Sequence, residues 1–248
     1  MISRARITYK QRESFTKCFP QPFTYMTMRE KFDGFLTERA VSAGASLMDG
    51  FKVNRIDVDN GVSQVFGEKD AFDGKVLVGA DGANSIVAHR LGLLQEAEMG
   101  VGLESEVYTE DEYLQPWASI VSLDFGTIRG GYMWVFPKGD HLSIGVAGFM
   151  KFGPRMRDLL DGYLSSLQIG DFRLQVTRRH RLARRRLGMP FHIGNAVLIG
   201  YAAGTVDFWT GEGIYYALRT AQMAAPAVCN YLEGNVRDLR QYEEVVDR

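Results

Sequence analysis

Lys75-Val76-Leu77-Val78-Gly79-Ala80-Asp81-Gly82-Ala83-Asn84-Ser85-Ile86-Val87 is the stretch that decides the fold. A short apolar run breaks into a bend of small residues around one aspartate, and a helix start follows. Such a run reads as a strand buried on both faces, inside a layered α/β sheet. Ser85 stands where the next helix would begin, as a good N-cap. The same grammar returns near the other end of the chain. Ala196-Val197-Leu198-Ile199-Gly200 reads as a strand, Tyr201-Ala202-Ala203-Gly204 as a small-residue loop, and Gly213 to Leu232 as a helix.

Between these two units, residues 117–149 give several strand-like runs punctuated by Gly126, Gly130-Gly131 and Gly139-Asp140, the pattern of an antiparallel sheet. The expected class is therefore mixed α/β (α+β), with a nucleotide-type domain interrupted by an inserted sheet. Residues 1–105 form its first part, 106–190 the antiparallel sheet, and 191–248 the second part with a C-terminal helix.

The remaining segments fit that frame. Residues 1–25 end in Phe19-Pro20-Gln21-Pro22-Phe23, which predicts an extended connector. Phe32, Phe35, Leu36, Ala40 and Val41 recur at helical spacing from Arg29, and Gly44 closes the helix. Phe51 to Val58 alternates as a half-buried strand, Asn60-Gly61 signals a hairpin turn, and Val62 to Phe66 returns. Residues 154–168 regain helical periodicity.

Composition narrows the function. With 248 residues, 46% hydrophobic and 24% charged, the chain has ordinary globular composition, and a net charge of -1 gives no reason to expect nucleic acid as a partner. Cys18 and Cys229 form no C-x-x-C and no cluster with histidine, so no metal site is expected and a reducing, cytoplasmic setting is the default. No apolar run reaches the roughly 20 residues that a membrane span needs. Membrane contact, if any, would be peripheral. Arg178 to Arg186 is densely basic; it could meet a phosphate, but it reads first as a solvated face. His89, His141 and His192 are isolated and carry no metal role.

Three segments carry chemistry. The bend at Gly79, Asp81 and Gly82 lets the backbone approach a ligand closely, with a carboxylate to accept hydrogen bonds. The plain alternative is a strand-to-helix turn with Asp81 as a local cap. The second bend, Gly200-Tyr201-Ala202-Ala203-Gly204 with Gly211-Glu212-Gly213-Ile214, leads to a helix start whose free N–H groups favour a phosphate or an electron-rich ring carbonyl. Its alternative is tight helix–strand packing. In Tyr132-Met133-Trp134-Val135-Phe136-Pro137 the three aromatics share one strand face and make a greasy wall with two polar handles. Its alternative is ordinary core.

Taken in this order, the three segments resemble the geranylgeranyl reductase family, within the wider superfamily of flavoproteins that includes aromatic hydroxylases. The G-A-D-G-x-x-S segment stands at Gly79 to Ser85. A G-D-A-A-G segment corresponds to Gly200-Tyr201-Ala202-Ala203-Gly204. G-E-G-I is present at Gly211 to Ile214, and the Y-x-W-x-F-P strand at Tyr132 to Pro137 is followed by Gly145 and by Ala147 where a second glycine is usual. Arg29 with Phe32-Asp33 resembles the family's R-x-x-F-D helix start. The resemblance implies an incomplete FAD-binding, Rossmann-like domain interrupted by a substrate domain. It implies FAD contacts from Arg29, Gly79, Asp81, Gly82, Gly200, Tyr201, Ala202, Gly204, Gly211, Gly213 and Ile214, and substrate contacts from Tyr132, Trp134, Phe136, Pro137 and Gly145. The implied reaction is flavin-dependent reduction of isoprenoid C=C bonds on a lipid or an alcohol diphosphate, with an unidentified electron donor. No proton donor stands out.

Two departures bear on that expectation. No G-x-G-x-x-G precedes residue 25, so the expected domain lacks its pyrophosphate loop. Tyr201 stands where the family carries aspartate, and a phenol there is large enough to enter the cofactor's space. A flavin-dependent aromatic hydroxylase, and a non-catalytic isoprenoid- or lipid-binding remnant, are the competing readings.

Overall fold

The computed structural model describes residues 1–59, 61–207 and 209–246. In chain order the elements are β1 (Arg4–Tyr9), β2 (Glu13–Cys18), α1 (Arg29–Ser42), β3 (Arg55–Asp59), β4 (Val62–Phe66), β5 (Ala71–Gly74), β6 (Leu77–Gly79) and α2 (Ile86–Leu91). They continue with β7 (Glu98–Thr109), α3 (Asp111–Leu114), β8 (Ile120–Phe125), β9 (Tyr132–Pro137), β10 (Leu142–Phe149) and α4 (Met156–Ser166). The last are β11 (Phe172–Arg184), β12 (His192–Ile193), β13 (Ala196–Leu198), α5 (Ile214–Leu232) and α6 (Arg240–Val246).

The chain divides into two compact units, each assembled from two separate stretches. Residues 1–48 with 101–180 make one, and residues 49–100 with 181 onward make the other. This division falls at 48/49, 100/101 and 180/181, whereas the sequence suggested 105/106 and 190/191. The difference at the N-terminal end has a local cause, because β1 and β2 are strands of the large sheet.

That sheet has the order β11-β7-β10-β9-β8-β1-β2. Its pairs β8–β9 and β9–β10 are antiparallel, as alternation predicts, while β1 runs parallel to β8 with Arg4 opposite Ile120. One face is apolar. Val101, Leu103, Val107, Met133, Val135, Leu142, Ile144 and Val146 meet Met156, Leu160, Tyr163 and Leu164 of α4 in one buried cluster. Period 2 therefore sends the alternate residues, Tyr132, Trp134 and Phe136 among them, to the opposite face.

Residues 4–18, for which the sequence suggested no element, form the β1–β2 hairpin, and the expected connector at 19–23 follows it without helix or strand. The hairpin's turn residues, Lys10 and Gln11, take φ of 51° and 58°, a region that side chains avoid and that asparagine or glycine would mark in a sequence. Asp124, 1% exposed, holds the turn in place. It accepts the Gln11 amide and the Thr8 hydroxyl at 2.6 Å each, and Thr127 at 2.9 Å. A buried carboxylate thus secures a turn that local preference disfavours.

In the second unit β3, β4 and β5 form an antiparallel sheet, with Asp59 opposite Val62 across the expected hairpin. Asn60, half of that turn signal, lies outside the described residues, while Gly61 takes φ of 79°. The other sheet has the order β12-β13-β6. Strand β13 is wholly buried, as expected. Strand β6 differs from expectation, because it is an edge and its Val78 is 42% exposed. Helix α1 spans the predicted stretch and stops at Gly44, yet it buries none of its residues, and Phe35 is 56% exposed.

Candidate functional site

The two small-residue bends lie side by side. Strands β6 and β13 pair in parallel, Leu198 opposite Gly79, and the Ile199 amide donates to the Gly79 carbonyl at 3.0 Å. Both bends therefore leave the sheet at its C-terminal end, where open α/β sheets place their ligand crevices. Gly79 and Gly82 serve different ends. A Cβ on Gly79 would stand 2.6 Å from Leu198 Cδ2 and 2.8 Å from Val87 Cβ, so this glycine permits strand–helix packing. Gly82 takes φ of 77° with open space where a Cβ would point.

Asp81 acts as a local cap. Its Oδ1 accepts the Ser85 hydroxyl at 2.5 Å and its Oδ2 accepts the Ile86 amide at 2.7 Å. Ser85 in turn accepts the Ala88 amide at 2.8 Å, the N-cap expected of it.

The second bend is pinned from three directions. The Gly200 amide donates to Thr220 Oγ1 of α5 at 2.9 Å, Thr205 donates to the Gly200 carbonyl at 2.9 Å, and the Arg185 amide donates to the Gly204 carbonyl at 2.9 Å. Ala202 and Ala203 are fully buried beneath it. At the start of α5 the space is filled by the chain itself. The Tyr201 ring lies where a Cβ on Gly213 would go, and its hydroxyl donates to the Gly211 carbonyl at 3.2 Å. Glu212 Oε1 accepts the Tyr215 amide at 3.0 Å. The backbone frame of adjoining bends, with Gly82 open, fits the edge of a flavin. Access to the first turn of α5 requires the Tyr201 ring and the Glu212 carboxylate to move aside.

The aromatic strand lies in the other unit, as does Arg29, which pairs with Asp33 at 2.7 Å at the start of α1. Ring centroids of Tyr132 and Trp134 are 5.7 Å apart, and those of Trp134 and Phe136 6.0 Å. Gly145 pairs opposite Trp134, and any Cβ there would overlap the indole, so the glycine lets the ring lie flat across β10. Trp134 is 8% exposed, and its Nε1 has no hydrogen-bond partner among the described residues. A buried donor left in that state is suited to a ligand. Pro137 closes the strand opposite Leu142.

Sequence reasoning missed the row beyond this stripe. Ser143, opposite Phe136, donates to Glu104 Oε2 at 3.2 Å, and His180 Nε2 lies 2.8 Å from Glu104 Oε1. His141, which looks isolated in the sequence, is 3% exposed and sits between Glu106 Oε2 at 2.9 Å and Asp140 Oδ1 at 2.7 Å. Lys138 Nζ donates to the Thr27 carbonyl at 2.9 Å; burial pulls its pKa down against the pull of Glu106 and Glu104. The basic run beside this row is largely paired. Arg178 reaches Glu106, Arg184 reaches Glu98, and the Arg185 guanidinium lies over the Phe191 ring.

No model of a protein family matches the chain. It is 28% identical over 250 residues to the geranylgeranyl diphosphate reductase of Synechocystis sp., covering 90% of this chain and 60% of that protein. Its fold matches a geranylgeranyl bacteriochlorophyll reductase-like protein of Thermoplasma acidophilum with a TM-score of 0.83 at 20% identity, over 99% of this chain and 66% of that one. A mutant of halogenase PltM crystallised in complex with FAD matches with a TM-score of 0.77 at 15% identity, over 98% and 56%. The chain spans about three-fifths of the length of the curated relatives it matches. The fold is that of the flavoprotein reductases and halogenases. In sequence the chain is similar to geranylgeranyl diphosphate reductases, at 27–28% identity over 90–92% of its length.

Proposed function

We propose that this chain is part of an FAD-dependent reductase of isoprenoid C=C bonds. The observation that carries the reading is the pair of adjoining bends at the C-terminal end of β6 and β13, with Gly82 open. The row of Tyr132, Trp134 and Phe136, with Trp134 lying over Gly145, adds the apolar wall that a prenyl chain needs. A bound reduced flavin supplies a hydride and its electron pair. The chain's own residues bind and orient. Gly82 and the small residues at 200–204 would give a ring edge clearance, and the first turn of α5 would offer it partial positive charge once the Tyr201 ring and the Glu212 carboxylate move aside. The aromatic row would hold a prenyl chain by apolar contact. Arg29, Asp81, Gly200, Tyr201, Ala202, Gly204, Gly211, Gly213 and Ile214 belong to the proposed cofactor site through the family pattern. Pro137 and Gly145 belong to the substrate wall.

Tyr201 against Gly213 supports a second reading, a prenyl-binding relative without a cofactor. One experiment separates the two. The full-length protein is incubated with FAD, reduced anaerobically with dithionite and given geranylgeranyl diphosphate, and the product is weighed by mass spectrometry. Product heavier by two hydrogens per reduced bond is expected. Colourless protein that binds the diphosphate unchanged would establish the second reading, and oxygen uptake with an aromatic substrate would point to a hydroxylase.

A further inference from the structure

The open face of the large sheet carries an apolar row that begins at a free edge. Phe15 of β2 pairs opposite Ile7 of β1, Ile7 opposite Leu123 of β8, and Leu123 opposite Trp134 of β9. Directly paired residues share a face, so these four side chains stand in line across four strands. A second row runs beside the first. Tyr9 pairs opposite Phe125 and Phe125 opposite Tyr132, and the Phe125 and Tyr132 ring centroids lie 5.8 Å apart. Both rows pass from shelter to solvent. Trp134 is 8% exposed and Ile7 and Leu123 are half-buried, whereas Phe15 at the edge is 62% and Tyr9 51% exposed. All of these residues belong to one compact unit.

Charge at that edge is one-sided. Residues 1–25 hold five cations, Arg4, Arg6, Lys10, Arg12 and Lys17, and one acid, Glu13, in a chain whose net charge is -1. Alternation turns Arg4 and Arg6 to the α4 face, where Arg4 donates to the Ser119 hydroxyl at 3.0 Å and Arg6 lies over the Trp117 ring. Lys10, Arg12 and Lys17 stay exposed at the edge. The ammonium groups of Lys10 and Lys17 rest on the rings of Tyr9 and Phe19, 5.1 Å from each centroid.

Charges on an edge strand ordinarily keep one sheet from pairing with another. That role calls for no aromatic rings in water. Exposed rings bracketed by cations are the composition of a surface that enters a lipid headgroup layer, with rings at the acyl boundary and cations at the phosphates.

We infer that the β1–β2 hairpin is a docking edge for an anionic lipid bilayer, with Tyr9 and Phe15 in the interface and Lys10, Arg12 and Lys17 at lipid phosphates. The inference deepens the proposed function and rests on its reading of the aromatic row as a prenyl wall. The Phe15–Ile7–Leu123 row then joins that wall to the phase in which prenyl lipids dissolve. A nucleic acid would use the cations and the outer rings, but not the aliphatic row behind them.

The test is sedimentation of the protein with vesicles, which needs neither flavin nor turnover. Wild type is expected to bind vesicles of phosphatidylcholine and phosphatidylglycerol in equal parts, to release as salt rises, and to bind phosphatidylcholine alone more weakly. Combining Lys10→Gln, Arg12→Gln and Lys17→Gln should weaken binding by roughly 10²-fold, from about fivefold per cation at an anionic surface. Phe15→Ser should weaken it by about tenfold at any salt concentration. Arg173→Gln with Arg179→Gln and Arg181→Gln removes the same charge from β11 and should leave binding near that of the wild type. In Phe15→Trp the added emission should be quenched by brominated acyl chains. No binding of wild type to the anionic vesicles, an equal loss in the β11 variant, unquenched emission from Phe15→Trp, or a preference for duplex DNA over vesicles overturns the inference and leaves the proposed reduction standing. A protein that docks through the hairpin yet reduces no prenyl bond overturns the proposed function while the docking edge stands.

Discussion

Tyr201 and Trp134 do opposite things with a neighbouring glycine. The Trp134 indole lies flat over Gly145 with its Nε1 donor unpaired among the described residues, whereas the Tyr201 ring lies against Gly213 and fills the space there. Replacing Tyr201 with aspartate removes the ring and restores an acceptor for a polyol chain. Tyr201→Asp is expected to tighten FAD binding by about tenfold, ~1.4 kcal/mol, measured by fluorescence titration. Unchanged or weaker binding would show that the ring is not the obstacle. Trp134→Ala removes the middle of the aromatic floor. It should weaken geranylgeranyl diphosphate binding by about 2 kcal/mol or more while changing FAD affinity little. The reverse order of effects would place the indole at the flavin instead. The motif residues themselves were legible in the sequence, because glycine and aromatic spacing carry direct steric meaning. The orientation of the Tyr201 ring was not, since a rotamer is chosen by neighbours ten or more residues away.

At the scale of elements, what could be read depended on whether a turn or cap was encoded locally. Helix α2 was legible, since Ser85 and Asp81 stand at capping distance before an apolar run and both hold backbone amides. Asp81→Ala should lower the stability of the cofactor-free protein by about 1 kcal/mol in a denaturant melt, the usual cost of a lost cap. A smaller change would mean that Asp81 is kept for a ligand rather than for the helix. The β1–β2 hairpin was not legible, because its turn is made by Lys10-Gln11 and secured by Asp124, more than a hundred residues away. Lys10→Asn with Gln11→Gly supplies residues that accept positive φ. The double variant is expected to be more stable than the wild type by roughly 0.5–1 kcal/mol, and a loss of stability would indicate that the Lys10 or Gln11 side chain matters more than the backbone strain. The edge position of β6 was hidden for a related reason. Leu77-Val78-Gly79 reads as a buried strand, and only its pairing shows that one side is left without a neighbour.

At the scale of the whole molecule, each unit is closed by residues far apart in sequence, and the ionisable row is the clearest case. Glu104 and His180 stand 76 positions apart, so no local pattern could have announced the pair. Because Glu104 accepts from both His180 and Ser143, its folded-state pKa lies below the ordinary 4.5 of an unfolded chain. The folded protein therefore binds protons at this carboxyl less readily than the unfolded one. The linkage then has a definite sign. The pair's contribution is present in full above about 4.5 and disappears as pH falls through the lower, folded value. Glu104→Gln has no such dependence. Chemical denaturation of wild type and Glu104→Gln from neutral pH downward should show the difference between them constant near neutrality and changing to the wild type's disadvantage in the acid range, below roughly 4.5. A difference that stays constant throughout the acid range would mean that the carboxyl has the same affinity for protons in the folded and unfolded chain. In that case the His180 and Ser143 contacts do not stabilise its charge in solution.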